Sequence, residues 1–476
     1  MSTLDHDERG WLPDCIVTGG NVLSGLALFA DEQGRIARLS RNPEDLSRAT
    51  RLPGRAILPG LVNGHSHTFQ RVIRGRTEFR STAGRDTFWT WREKMYRAAT
   101  LLSPEEIYIA ARMAFLEMAL SGITTVAEFH YLHHQADGSR YADPNLLSKE
   151  VIRAARETGL RIGLLRTAYV RAGFQKEPNP GQTRFITANA DQFVNDTEAL
   201  CSWSDQHYQS DEVVVGIAPH SLRAVPIDYL REVARYALGS NLVIHMHVAE
   251  QPAEVEACYA EYGATPVALL QGEGILRDGF TAIHAIHITE KEAQLFGDSR
   301  SIVCACPTSE RNLGDGAVPA DKLLRAKTRI SLGSDSQIQI DLLEDARLLE
   351  YHLRMEQLQR VVLAPTESAL DQDDTLTKRL LYAATRSGAE SLRMPVGDLV
   401  EGAPADFFTL DLSDPSIAGA SSDAFLTNVL FSVERCAVRD VFVGGHSIVT
   451  DGRHPHQESI VAVFRNTQAT FWKDTR

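Results

Sequence analysis

The chain has 476 residues, a formal net charge of -13, a hydrophobic share of 43% and a charged share of 23%. This composition is that of a soluble globular protein too long for one ordinary core, and its negative field disfavours polyanions, which excludes nucleic-acid binding. The opening MSTLDHDERGWLPD has no basic stretch followed by an apolar one, and no apolar run is long enough to cross a bilayer, so a cytoplasmic protein without a membrane partner is expected.

Residues 12–55 hold short alternating pieces such as LALFADEQGRIARL, broken by Gly, Asp and Pro, and predict the first part of a small β domain over 1–55. An apolar run, AILPGLVNG, follows. SPEEIYIAARMAFLEMALSG then opens with a Ser-x-x-Glu capping box and closes on Gly122, which predicts a helix. Further β-rich runs are GITTVAEF, RIGLLRTAYV, EVVVGIAPH, NLVIHMHVAE, GFTAIHAIH, SIVCACP and RISLGSDS, with helical spacing between most of them. FQKEPNPGQTRFITANADQ, rich in Pro, Gly and Asn, predicts a loop. Eight β runs alternating with helices predict an α/β fold, a parallel (β/α)8 TIM-like barrel over 56–395. The last part, 396–476, returns to short strands such as ADFFTLDL, and two β-rich ends flanking a barrel meet most simply as one small β-sandwich domain. Of the six cysteines, Cys304 and Cys306 stand at alternate positions of a strand, as buried reduced thiols do.

Active sites of such barrels lie at the C-terminal ends of the strands, so the polar residue that ends each run matters. The first run ends with His65 and His67, the fourth with His220, the fifth with His247 and Glu250, the sixth with His284 and the eighth with Asp335. Residues i and i+2 of a strand share a face, so His65 and His67 can converge on one point. With His247 and Asp335 they make a three-His, one-Asp set that suits one zinc ion and leaves a position for water. Glu250, three residues after His247, can face the same pocket without being a ligand, as an acid that moves protons to a leaving group would. Arg92, beside FWTW, and Arg223, in APHSLRAV, can each grip a carboxylate bidentately, which an acidic chain needs in order to hold an anionic substrate.

The motifs GLVNGHSH, HVAE, IHAIH and GSDS, in that order along the barrel, resemble the amidohydrolase superfamily. The third and fourth runs carry no lysine where two-metal members place a carboxylated one, so the resemblance implies the single-metal deaminase branch. HSHTFQR, FWTWREKMYR, VAEFHYLHH, APHSLRAV, HMHVAEQ and NLGDG narrow it to the formimidoylglutamate deiminases. That resemblance implies zinc on His65, His67, His247 and Asp335, and substrate contacts from Gln70, Arg92, Tyr131, His220 and Arg223. It also implies hydrolysis of N-formimino-L-glutamate in histidine degradation, with Asp335, Glu250 and His284 catalytic. The expected partners are a small anionic substrate and a second copy of the chain as a homodimer. The alternative is another single-metal deaminase of the superfamily, acting on a purine, an adenosine derivative or a triazine, which would call for stacking aromatics and ring-edge donors instead of two arginines.

Overall fold

The computed structural model describes residues 8–80, 86–365 and 375–473. The chain begins with β1 (Arg9–Thr18), β2 (Asn21–Ser24), β3 (Ala27–Ala30), β4 (Ile36–Ser40) and β5 (Thr50–Pro59). Gly60 alone separates β5 from β6 (Leu61–Ser66), and a Cβ there would fall 2.2 Å from Thr124 Oγ1, so only glycine passes this junction. From β6 the barrel continues through β7 (Ile123–His130), β8 (Arg161–Ala168), β9 (Val213–Pro219), β10 (Ile244–Val248), β11 (Phe280–His284), β12 (Ile302–Ala305) and β13 (Arg329–Leu332). These eight strands pair in chain order, each parallel to its neighbour. Every residue of β7 and β8 is buried, which is why those strands read as continuous apolar runs and not as alternations.

The seam between β13 and β6 is closed by one bridge, Ser66 to Asp335. The Asp335 N–H donates to the His65 carbonyl and the His67 N–H to the Asp335 carbonyl, both at 3.0 Å. Closure of the barrel and placement of three polar side chains are therefore one event. The helix Pro104–Ala119 forms where the capping box predicts it: the Ser103 hydroxyl accepts the Glu106 N–H at 3.2 Å and Glu106 Oε2 accepts the Ser103 N–H at 2.8 Å.

β14 (Phe407–Asp411), β15 (Val438–Val443) and β16 (His446–Val449) join β5 and the first strands in one sheet, ordered β16-β15-β14-β5-β1-β3-β4 with β2 on β1. This sheet has its own core of Trp11, Ile16, Leu28, Ile57 and Phe407, with Phe407 stacked on Phe442 at 4.4 Å. Each such side chain contributes about 1.5–3 kcal/mol on burial. Arg161, the first residue of β8, holds Asp406 at 2.7 Å, with side chains 7% and 1% exposed. The sheet is thus pinned at the N-terminal ends of the barrel strands, away from the face that carries chemistry in this fold. The carboxy-terminal part also adds to the barrel wall, since the helix Gln457–Phe471 packs against Pro104–Ala119. All six cysteines are free, with Cys304 and Cys306 buried. Among the described residues no helix is long and apolar enough to cross a membrane.

Candidate active site

β6 ends at Ser66, and His67 leads directly into a 3-10 helix, Thr68–Ile73. His65 Nε2 and His67 Nε2 each lie 3.4 Å from Asp335 Oδ1, and ligand atoms of His65, His67, His247 and Asp335 lie within 4.8 Å of one another. His67 Nδ1 is 2.8 Å from the Phe129 carbonyl and His247 Nδ1 is 3.0 Å from the His220 carbonyl. A carbonyl only accepts, so both Nδ1 atoms carry hydrogen and both Nε2 lone pairs are left for the cluster. Burial pushes His65 down to about 3, and His67 and His247 down as well, so all three rest as neutral imidazoles. Burial pushes the Asp335 carboxyl up, but the adjacent His65 ring and the charge on His284 reverse this and hold it well below the usual carboxylate range. Neither ring nitrogen of the fully buried His65 has a hydrogen-bond partner among the described residues. Three neutral imidazoles and one anionic oxygen around a common point fit a divalent cation of zinc's kind, and a cation would satisfy the His65 orphan.

The local backbone is shaped for this convergence. Asp335 and His284 take left-handed φ of +46° and +71°, rare for residues with a Cβ and frequent at functional sites. A Cβ on Gly333 would come within 2.7 Å of His65 Cβ, so glycine is needed where the end of β13 passes His65. Beneath the pair, Glu128 accepts the Ser66 hydroxyl at 2.6 Å and both the N–H and hydroxyl of Thr68 at 2.7 Å. These bonds hold the residues on either side of His67.

Glu250 follows Ala249, itself at φ +52°, and its Oε1 lies 3.7 Å from His284 Nε2. Burial pushes Glu250 up to about 7 against the pull of His284 and Arg223, which makes it a proton donor near neutrality. Burial works against a charged His284, but Glu250 and the hydrogen bond to Glu310 hold it well above the ordinary histidine range.

Gln70, Arg92, Tyr131, His220 and Arg223 line the same cavity as His67, His247, Glu250, His284 and Asp335. Gln70 Nε2 donates to the Tyr131 hydroxyl at 3.1 Å. His220 stacks on His247 at 4.7 Å, and burial pushes it well below the ordinary range, so it too is neutral. The Arg92 guanidinium lies over Trp89 at 4.6 Å, and that of Arg223 between Phe88 and Trp89 at 5.6 and 5.5 Å. Nε and Nη1 of both arginines are buried and have no hydrogen-bond partner among the described residues. Two desolvated cations with open donor capacity require anions to satisfy them. The cavity has a volume of about 30 Å³, and Trp91 and Leu313 line both it and an outer cavity of about 310 Å³.

All the residues named from the sequence therefore stand at this one mouth, with His65 beneath the cavity floor. Sequence reading missed Glu310, Glu128 and a triad in which Gln182 donates to the Tyr96 and Tyr169 hydroxyls at 3.1 and 2.9 Å. Glu310 had a signal: it lies in PTSE, in the first helical turn after the seventh run, one step past the strand ends that were searched. Gln182 lies in the stretch read only as a loop.

The model of the amidohydrolase family matches residues 56–448. The chain is 39% identical over 422 residues to the formimidoylglutamate deiminase of Pseudomonas aeruginosa, covering 87% of this chain and 89% of that one. It is 28% identical over 459 residues to the 8-oxoguanine deaminase of the same organism, covering 94% of each. Among solved structures, an amidohydrolase from Brucella melitensis superposes with a TM-score of 0.88 at 30% identity, over 98% of this chain and all of that one.

Proposed function

Because this chain belongs to the amidohydrolase family, we propose that it hydrolyses the formimino C–N bond of N-formimino-L-glutamate, giving N-formyl-L-glutamate and ammonia. The observation that carries this reading is the pair Arg92, half-buried, and Arg223, buried, whose Nε and Nη1 donors are open beside the candidate metal cluster, which matches a substrate bearing two carboxylates. The reaction belongs to histidine degradation. The reading includes a cytoplasmic homodimer whose barrel, 56–395, carries the chemistry, with a small β domain from 1–55 and 396–476.

In this mechanism His65, His67, His247 and Asp335 would hold one zinc ion per chain, which would supply Lewis-acid activation of water. Asp335, an anion throughout the working range, takes the proton of the attacking water. His284, aimed at the pocket through Nε2, hydrogen-bonds the attacking oxygen and supports the tetrahedral intermediate. Glu250 holds a proton near neutral pH and delivers it to the departing nitrogen. The proton taken by Asp335 follows as the tetrahedral intermediate collapses, so that the nitrogen leaves as ammonia, and the hydroxyl proton returns to Glu250. Arg92 and Arg223 hold the carboxylates, and Gln70, Tyr131 and His220 complete the substrate contacts.

The test is ammonia release by the purified zinc enzyme from N-formimino-L-glutamate, with guanine, adenosine derivatives and amino-triazines in parallel. Turnover of the formimino acid alone is expected. Turnover of a ring amine with none of the formimino acid would replace this reading.

A further inference from the structure

The helix Pro307–Leu313 starts two residues after β12 and carries Glu310 to the side of the His284 ring away from Glu250. The Glu310 side chain is 1% exposed, and its Oε1 lies 3.1 Å from His284 Nδ1 while accepting the Cys306 N–H at 2.8 Å. Its Oε2 is buried with no hydrogen-bond partner among the described residues. The helix itself is anchored, since the Thr308 N–H donates to Asp345 Oδ1 at 2.9 Å. On the other side of the ring, His284 Nε2 faces Glu250 at 3.7 Å.

Capping Cys306 does not explain a carboxylate here. A neutral amide would accept that N–H as well, without the penalty of a buried anionic oxygen left unpaired. What a carboxylate adds is that it can only accept, so the imidazole nitrogen facing it must be the one that carries hydrogen. His284 also needs such a restraint, because it closes β11 at φ of +71° and Ala285 follows at +50°, a sharp backbone departure that pairing with Val248 does not by itself extend to the orientation of the ring.

We propose that Glu310 is a positioning residue of this active site: by accepting the His284 Nδ1–H it fixes the ring's orientation and turns Nε2 toward the reacting atoms. The proposal rests on the role given to His284 above. A glutamine at 310 keeps the shape but not the charge: because one oxygen makes both contacts, its amide either stays as a weaker, neutral acceptor for the ring or turns N–H toward the ring and gives up the Cys306 cap.

The experiment compares Glu310→Gln, His284→Asn and the double variant in the zinc-loaded enzyme, with metal content measured for each. Glu310→Gln is expected to lower kcat about ten- to hundredfold, as loss of an orienting partner does. KM should stay within about threefold of wild type. In the His284→Asn background the same change should alter kcat by less than about twofold, because the residue it acts through is gone. An equal loss in both backgrounds would show that Glu310 acts on the fold and overturn the proposal. Near-normal activity of His284→Asn alone would instead remove the role of His284, and the proposal with it. Should Glu310→Gln fail to fold or lose its metal, ¹⁵N NMR of histidine-labelled wild-type holoenzyme decides, with the His284 resonances assigned by their loss in His284→Asn. An Nδ1 that stays protonated on both sides of the pH at which Nε2 loses its hydrogen supports the proposal, and an Nδ1 that gives up its hydrogen first overturns it.

Discussion

Replacing Arg223 by Met removes a cation that is 4% exposed and makes neither an ion pair nor a side-chain hydrogen bond among the described residues. Met retains much of the apolar stem that packs against Phe88 and Trp89. The free enzyme thus loses a desolvated charge together with its attraction to Glu254 and Glu250, two opposing effects, and the variant should melt close to the wild-type temperature in the absence of substrate. The complex loses a bidentate clamp. Two charge-assisted hydrogen bonds at about 1.5 kcal/mol each amount to about 3 kcal/mol, or a fall of about a hundredfold or more in kcat/KM. Lysine at 223 should rescue only partly, since it keeps the charge and loses the planar fork. The assay is steady-state ammonia release from N-formimino-L-glutamate and from analogues lacking one carboxylate, alongside thermal melts and zinc content. The analogue that has lost the group Arg223 holds should be nearly indifferent to the substitution. A variant with normal zinc, unchanged kcat/KM and a lowered melting temperature would show that Arg223 is a structural residue and would refute the anion clamp.

His67→Ala and Asp335→Asn should each abolish activity and reduce bound metal below the single equivalent expected for wild type, as read by elemental analysis; two tightly held equivalents, both needed for turnover, would overturn the single-metal assignment. Glu250→Gln should keep its metal and slow kcat about a hundredfold, and near-normal turnover would take Glu250 out of the mechanism. Burial sets the Glu250 carboxyl at about 7, so its donor form is present below that pH and lost above it. The kcat of wild type should therefore decline as pH rises through about 7, whereas a level kcat between about pH 6 and about pH 9 would assign the acid elsewhere. Gly333→Ala would press a methyl against His65 Cβ at 2.7 Å and should speed zinc loss to a chelator at least about tenfold; unchanged retention would show that the strand can give way there.

The barrel and the convergence of His65, His67, His247 and Asp335 were legible because both depend on local pattern. Apolar runs and helical spacing alternate along the chain, and parallel barrel strands end at one face, so residues such as His65, His67 and Asp335 could be tied to that face by position alone. The alternation rule could not choose within HMHV, where His245 and His247 share one side of β10. Depth decides between them: His245 lies two residues, about 6.6 Å, further down the strand and its Nε2 is spent on the Ser391 carbonyl at 3.0 Å, while His247 reaches the cluster. Likewise His130, His133 and His134 in FHYLHH look as ligand-like as any in the chain, yet the last two turn Nε2 to the carbonyls of Thr167 and Ile186 at 2.8 and 2.7 Å. The residues that orient the site were out of reach for a different reason. Glu310 meets His284 across 26 positions and Glu128 meets Ser66 across 62, so no spacing in the chain encodes either contact. Residue type and strand periodicity by themselves determined the barrel and which strand-end histidines and carboxylates could meet at its mouth, while Gln70 and Tyr131 came only from the family resemblance. Which of them do meet, which nitrogen each presents and how deeply each is desolvated followed only from tertiary packing, because hydrogen-bond partners and burial belong to the folded neighbourhood and not to the chain.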